Sequence, residues 1–115
     1  MSDFLPAVWE VWHARFDYDD GRGYKYRPVI VVASQEGSAL IMMVTSAQNK
    51  LHLEHDYLIE EWDLAGLDKP SIARVDRIAT IPYAYLGSAG RLGRLSVVDS
   101  AALAELLRQA YRPDR

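Results

Sequence analysis

The 115-residue sequence contains no cysteine, and no apolar run is long enough to cross a membrane. Without cysteine the chain can form no disulfide, no thiolate nucleophile and no cysteine-based zinc site. Residues 1–6 carry no basic segment and lead into no long apolar run, so they do not resemble a signal peptide. These absences favour a cytoplasmic protein with no membrane segment, and the length favours one domain over residues 1–115.

Net charge is also small. The formal charge of −3 argues against a generic nucleic-acid binder. The charges are nevertheless clustered, because residues 54–63 hold a block of Asp and Glu without any Lys or Arg. The basic residues form three groups, which are Arg22, Lys25 and Arg27, then Arg74 and Arg77, then Arg91 and Arg94. A local basic face on an acidic protein is therefore possible.

Aromatic and β-branched residues predict strands over 7–16, 27–32, 39–44 and 52–59, and another that begins after Pro70. The nearly unbroken apolar run at 29–32 indicates a central strand buried on both faces. Residues 60–64 predict one helical turn, ended by Gly66. Segment 83–86 fits neither a helix nor a strand clearly.

The last part of the chain predicts a helix. Ser96 is its expected N-cap, with Asp99 three residues later as in a capping box, and Pro113 ends it. An apolar stripe at helical spacing consists of Leu103, Leu106, Leu107 and Ala110. Strands followed by a helix predict an α+β, mainly β domain built on a small antiparallel barrel.

Several catalytic classes are not supported by any motif. The glycines at 87, 90 and 93 have the wrong spacing for a phosphate-binding loop, and no serine has a nucleophile-elbow context. His52 and His55 are three residues apart in a predicted strand and so would face opposite sides, which disfavours a metal pair. His13 is more typical of a packed or surface residue than of a catalytic base. We therefore expect no metal and no cofactor.

The loop after the first predicted strand combines aromatic and basic side chains, namely Tyr18, Arg22, Tyr24, Lys25 and Tyr26. Single-stranded nucleic acid is held by cations along its backbone and by aromatic faces under its bases. A solvated hairpin tip with locally packed tyrosines explains the same composition.

Two further places could carry chemistry. Thr45 and Ser46 end a predicted buried strand, where hydroxyls and amides can hold a phosphate, although such residues are also ordinary in turns. Arg74 and Asp76 alternate with apolar residues and would share one face of a strand. That pair suits acid–base or phosphate chemistry, and it is equally an ordinary surface ion pair.

Several segments together resemble the PemK/MazF-like toxins of type II toxin–antitoxin modules. They are Trp12-x-Ala14-x-Phe16, Arg27-Pro28-Val29-Ile30-Val31-Val32, Val44-Thr45-Ser46, Trp62-x-x-Ala65-Gly66-Leu67-x-x-Pro70-Ser71-x-x-Arg74, Leu86-Gly87 and Leu95-Ser96-x-x-Asp99. The resemblance runs from about Val8 to about Tyr111. It implies an SH3-like barrel with a C-terminal helix, a homodimer, and a metal-independent endoribonuclease that cuts single-stranded mRNA and binds a cognate antitoxin.

The resemblance also implies site residues. Arg27 matches the arginine at the scissile phosphate, Thr45 the active-site threonine, and Arg74 and Asp76 an Arg-x-Asp pair of which the aspartate acts as base. Ser46 and Gln48, together with Arg22, Tyr24, Lys25 and Tyr26, are then expected to contact RNA. The histidine that this branch places in its first loop has no counterpart in the loop of this chain.

Two other interpretations stay open at the level of sequence. A toxin with a CcdB-like barrel would act on a protein and would not need the Arg27, Thr45 and Arg74 matches. A non-catalytic binding module on the same barrel is consistent with the acidic net charge and with the missing loop histidine.

Overall fold

The computed structural model describes residues 6–49, 53–87 and 90–112. His52 and Pro113, which entered the predictions above, lie outside these ranges. These ranges form six strands, β1 (Glu10–Asp17), β2 (Tyr24–Gln35), β3 (Ser38–Ser46), β4 (Asp56–Leu58), β5 (Ser71–Pro82) and β6 (Arg91–Arg94). A short helix α1 (Ala84–Gly87) precedes β6, and helix α2 (Val97–Tyr111) follows it.

All six strands belong to one antiparallel sheet with the order β4-β5-β3-β2-β1-β6. The predicted α+β, mainly β class is therefore confirmed. The sheet is not closed into the expected barrel, because β4 and β6 form its two edges in the described part of the chain. Irregularities in the β1–β6, β2–β3 and β3–β5 pairings bend the strands, since an extra residue in one strand locally increases its twist.

Apolar residues pack on both faces of this sheet. One face carries Val11, Ile30 and Met42 against Leu103 of α2, and the other carries Trp12, Val31 and Ile41 against Leu86 of α1. The predicted central strand is confirmed, because Val29, Ile30 and Val31 are fully buried. Two-sided burial is what an unbroken apolar run requires.

Helix α2 begins as the sequence predicts. The Ser96 side chain accepts a hydrogen bond of 3.2 Å from the Asp99 amide, which satisfies one of the free N–H groups of the first turn. Leu103 is buried, and the rest of the predicted stripe packs against the same cluster, namely Leu106, Leu107 and Ala110. The helix ends at Tyr111, before the expected proline.

Some local predictions differ from the structure. Within the described residues 53–59, the strand expected over 52–59 is only Asp56–Leu58. Residues 60–66 form successive turns, which include one helix-like hydrogen bond from the Ala65 amide to the Glu61 carbonyl at 3.3 Å. Gly66 still has the left-handed backbone expected of a chain reversal, with φ of +87°. Segment 83–86, which the pattern left undecided, lies largely in α1.

Candidate functional site

A cleft opens in the described part of the molecule where β2 and β3 separate. Their pairing ends at Val29 and Met43 in the described chain, although β2 extends back to Tyr24 and β3 on to Ser46. Beyond that point β2 pairs only with β1, and β3 pairs only with β5. The sheet therefore divides into two arms with a cleft between them.

Two adjoining depressions occupy this cleft, with volumes of about 530 and 370 Å³. Both are lined by Arg27 from one arm and by Val44 and Thr45 from the other. The larger one continues to His13, Ser46 and the Gly66–Lys69 segment, and the smaller one to Arg74 and Arg77. Residues that are distant in sequence thus meet because the two strands diverge.

The cleft is strongly basic on a chain whose formal charge is −3. Among the described residues, its charged lining consists of one acid, Asp68, and the cations Lys25, Arg27, Lys69, Arg74 and Arg77. Within the described residues, Arg27 has no hydrogen-bonded or ion-paired partner, and its side chain is half-buried. A half-buried guanidinium without a protein anion is well suited to bind a phosphate, because its planar fork donates two parallel hydrogen bonds.

Arg74 has a different environment. Its Nη1 donates to Asp56 Oδ2 at 2.7 Å, directly across the β4–β5 pair, and the Asp56 side chain is fully buried. The charge of Arg74 is therefore already opposed by a carboxylate at the wall of the cleft.

Asp76 lies beside Arg74 in sequence, but the two do not bond to each other. Met43 of β3 pairs with Arg74, and its neighbour Met42 pairs with Ile78. Residues 75–77 of β5 are therefore left out of the β3–β5 pairing, and the strand is irregular there. Asp76 accepts hydrogen bonds from the His55 amide at 2.8 Å and pairs with His55 Nδ1 at 2.9 Å. Burial alone would raise the pKa of Asp76, but the two bonds from His55 outweigh it and hold the pKa below its usual value. Asp76 lines neither depression.

The six residues expected to contact RNA are divided between the cleft and its surroundings. Lys25, Tyr26 and Ser46 line the larger depression. Tyr24 lies farther out on β2, and Arg22 lies at the hairpin tip, where its amide donates to Asp20. Gln48 is exposed in a 3₁₀ turn after β3, and its amide donates to Ser46 Oγ at 3.2 Å.

Sequence reasoning missed four ionisable residues of the cleft, which are His13, Asp68, Lys69 and Arg77. Arg77 belonged to a noted basic cluster, so charge clustering did carry a signal for it. For His13 the only signal was its position on β1, two strands from Thr45. Asp68 and Lys69 follow the predicted Gly66 turn and gave no signal of their own.

A buried carboxylate holds in place the turns that lead to residues 66–69, which form one wall of the cleft. Asp99, at the start of α2, is fully buried and accepts hydrogen bonds from Tyr57 Oη at 2.6 Å and from the amides of Glu60 and Glu61 at 2.9 and 2.8 Å. Burial would raise the pKa of Asp99, but these donors outweigh it and lower the pKa. The residue predicted as part of a helix cap therefore also holds the loop beside the cleft.

No three His, Cys, Asp or Glu side chains in the described ranges are arranged to hold a metal ion. Across those same ranges, no helix is long and apolar enough to span a membrane.

Comparison with known proteins identifies the family. Residues 7–111 match the model of the PemK-like, MazF-like toxins of type II toxin–antitoxin systems. The chain belongs to this family. A search of curated proteins finds no match.

Solved structures of similar fold include several toxins. A mycobacterial endoribonuclease in complex with its cognate antitoxin has 16% identity and a TM-score of 0.71, with 96% of this chain and 99% of that chain covered. A MazE-MazF structure from Deinococcus radiodurans has 15% identity and a TM-score of 0.72, covering 93% and 96%. The Mycobacterium tuberculosis toxin MazF-mt6 has 23% identity and a TM-score of 0.64, covering 90% and 99%. At these identities the likeness concerns the fold.

Proposed function

We propose that this PemK/MazF-family chain is a metal-independent endoribonuclease that cuts single-stranded mRNA as the toxin of its module. The observation that carries the proposal is the basic cleft, in which the unpaired Arg27 faces the strand end that holds Thr45 and Ser46. Family membership and the endoribonuclease names of similar structures support it. The cytoplasm is where such a substrate occurs.

The reaction is an attack of the ribose 2′-oxygen on the adjacent phosphorus. The 2′-hydroxyl loses its proton, a bond from O2′ to phosphorus forms, and the bond from phosphorus to O5′ breaks. O5′ takes up a proton, which leaves a 2′,3′-cyclic phosphate and a 5′-hydroxyl end. No metal is needed if fixed cations stabilise the extra negative charge of the transition state.

Arg27 is the principal stabiliser in this scheme, because it is held on a strand and has no competing anion among the described residues. Thr45 and Ser46 orient the phosphate. Arg74 contributes positive potential from the wall, where Asp56 fixes its position. A guanidinium keeps its charge and is a poor proton donor, so both arginines act mainly through charge.

Asp76 as the general base stays a prediction. Its contacts with His55 stabilise the ionised carboxylate, which is the form that accepts a proton, but they also make that carboxylate a weaker base.

The remaining predicted partners follow from the same proposal. An antitoxin with an acidic segment would complement the cleft formed by Lys25, Arg27, Lys69, Arg74 and Arg77. A homodimer remains the expected assembly.

The proposal is tested by cleavage of an end-labelled, unstructured RNA with excess chelator present, followed by analysis of the product ends. Arg27→Ala should lower the cleavage rate by ~10²–10³-fold, the loss typical for a fixed transition-state donor. Thr45→Val should lower it as well, and circular dichroism should show both variants folded. Arg108→Ala is the control, because it removes an exposed cation on α2 that contacts Glu105.

Other outcomes would select a different function. RNA binding without cleavage by the unmodified protein would indicate a non-catalytic module, and absence of binding would favour a toxin that acts on a protein. If Asp76→Asn kept full activity, the base assignment would be wrong, since a lost base typically costs ~10²–10⁴-fold.

A further inference from the structure

The β1–β2 hairpin presents a row of side chains that leads away from the cleft. The pairs His13–Pro28, Arg15–Tyr26 and Asp17–Tyr24 follow one another along the two strands. Alternate cross-strand pairs place their side chains on the same face of a sheet. His13, Tyr26 and Pro28 line the larger depression, and Arg15 and Tyr24 continue the same face outward.

Arg15 and Tyr24 form an ordered stack on this face. The Arg15 guanidinium carbon lies 4.1 Å from the centroid of the Tyr24 ring, and Arg15 Nε lies 3.0 Å from Asp17 Oδ1. The Tyr24 and Tyr26 rings meet edge to face at 5.7 Å. These contacts orient a long side chain that would otherwise sample many rotamers, so little further ordering is needed for a ligand to use it.

The stack remains open to solvent although it is held in place. The Arg15 side chain is 41% exposed, and Tyr24 is 49% exposed. The charge of Arg15 is offset by Asp17, so an approaching phosphate would meet a carboxylate as well as the cation. A planar, uncharged group avoids that repulsion and gains from stacking on a guanidinium or a tyrosine ring.

We propose that Arg15 and Tyr24 form a stacking subsite for one nucleobase of single-stranded RNA, outside the cleft that holds the scissile phosphate. This inference rests on the proposed ribonuclease function. The RNA lies with its cut phosphate between Arg27 and Thr45, passes Tyr26, and stacks a flanking base on the exposed side of the Arg15–Tyr24 pair. Tyr85 lies on another side of Arg15, with its ring centroid 5.6 Å from the guanidinium carbon. Arg15 therefore contributes to binding through its plane rather than its charge, and the subsite accepts any base, with purines favoured by their larger area.

The test separates stacking from charge with two uncleavable probes of equal phosphate number. One is a fluorescent 2′-O-methyl oligoadenylate decamer, and the other is the corresponding decamer without bases. Arg15→Ala should weaken binding of the oligoadenylate by ~5- to 150-fold, the range for loss of one stacked base, and leave binding of the abasic probe unchanged. Tyr24→Ala should do the same. Arg15→Lys should behave like Arg15→Ala, because it keeps the charge and loses the plane.

Matched controls define the alternatives. Arg108→Ala should alter the affinity for neither probe, and Arg27→Ala should weaken the binding of both probes. Equal weakening of both probes by Arg15→Ala would show a charge contact and overturn the stacking subsite. If Arg15→Ala lowered the melting temperature and left oligoadenylate binding unchanged, the stack would only stabilise the hairpin. That result would also overturn the stacking subsite.

Cleavage of an unstructured transcript by the unmodified protein, measured alongside, keeps the two proposals distinct. If the protein cleaves the transcript but its binding of oligoadenylate does not depend on Arg15, only the stacking subsite is rejected. Absence of cleavage rejects the ribonuclease.

Discussion

Arg27 and Arg74 show how the surroundings of a side chain decide its chemistry. Both line the smaller depression, yet only Arg74 faces a buried protein carboxylate, Asp56. The Arg74 guanidinium already has its counter-charge and serves partly to neutralise that carboxylate, whose burial alone would be costly. Arg27 has no such partner in the described chain and can offer its donors to a phosphate. Two arginines in one cleft therefore contribute differently to phosphate binding.

Asp99 allows a stability prediction at the same scale. Asp99→Ala removes the acceptor of the Tyr57 hydroxyl and of two amides, and it should lower the free energy of unfolding by ~2–4 kcal/mol at neutral pH. Urea unfolding measures this loss. Asp19→Ala, which removes an exposed acid at the hairpin tip, should have no such effect. An unchanged free energy of unfolding in Asp99→Ala would contradict the conclusion that Asp99 holds this loop in place.

The pKa of Asp99 adds a pH dependence with a defined sign. Folding lowers this pKa, so the unfolded chain binds the proton more tightly. The contribution of Asp99 is therefore complete above the unfolded pKa of about 4 and is lost as the pH falls through the lower folded value. Between neutral pH and pH ~3, unfolding measurements should show a steeper loss of stability in the unmodified protein than in Asp99→Ala. Parallel curves would contradict this prediction.

At the scale of elements, the 60–67 turns and β6 approach each other at backbone distance. A Cβ on Gly66 would lie 2.2 Å from the Leu92 carbonyl oxygen, and one on Gly93 would lie 2.5 Å from the Ala65 carbonyl oxygen. Two glycines are therefore required on the two sides of one contact. This contact sets the position of the segment that carries Asp68 and Lys69 into the cleft.

A matched pair of substitutions isolates the cost of this approach. Gly66→Ala and Gly37→Ala both place a side chain at a positive φ, of +87° and +83°, but nothing lies within 4 Å of the added Cβ at Gly37. Gly37→Ala should cost only the backbone term of about 1–2 kcal/mol. Gly66→Ala should cost ~1–3 kcal/mol more, because backbone must move to admit the methyl group. Equal melting temperatures for the two variants would contradict the close contact.

On the scale of the whole molecule, an acidic chain places five of its 13 Lys and Arg residues along one cleft. RNA affinity should therefore depend on this local field rather than on the net charge of −3. In a salt series with the uncleavable decamer, each lost phosphate contact should reduce the slope of log affinity against log salt by ~0.7. Arg77→Ala should show this reduction. Arg94→Ala removes an exposed cation outside the cleft and should leave the slope unchanged, whereas equal effects of both would contradict a localised site.

Local patterns in the sequence account for the elements but not for every boundary. The apolar run at 29–32 and the Ser96 cap were sufficient because each depends on neighbours in the chain. The strand over 52–59 was predicted too long, and the helical turn predicted over 60–64 is one hydrogen bond from Ala65 to Glu61 within a longer run of turns. Their hydrogen bonds go in part to Asp99, about 40 residues away, so local propensity does not determine them.

The sequence by itself determined the family resemblance, the mainly β class with its C-terminal helix, and the residue types able to bind phosphate. Only the tertiary structure decided which of them share a site. Arg74 and Asp76 have different partners because β4 and the turn before it bring Asp56 and His55 to β5 from 18 and 21 residues away. Arg27 and Thr45 line one cleft because the β2–β3 pairing stops at Val29 and Met43 and the strands separate. Side-chain alternation specifies which face a residue occupies, whereas the point at which two strands part depends on every element packed around them.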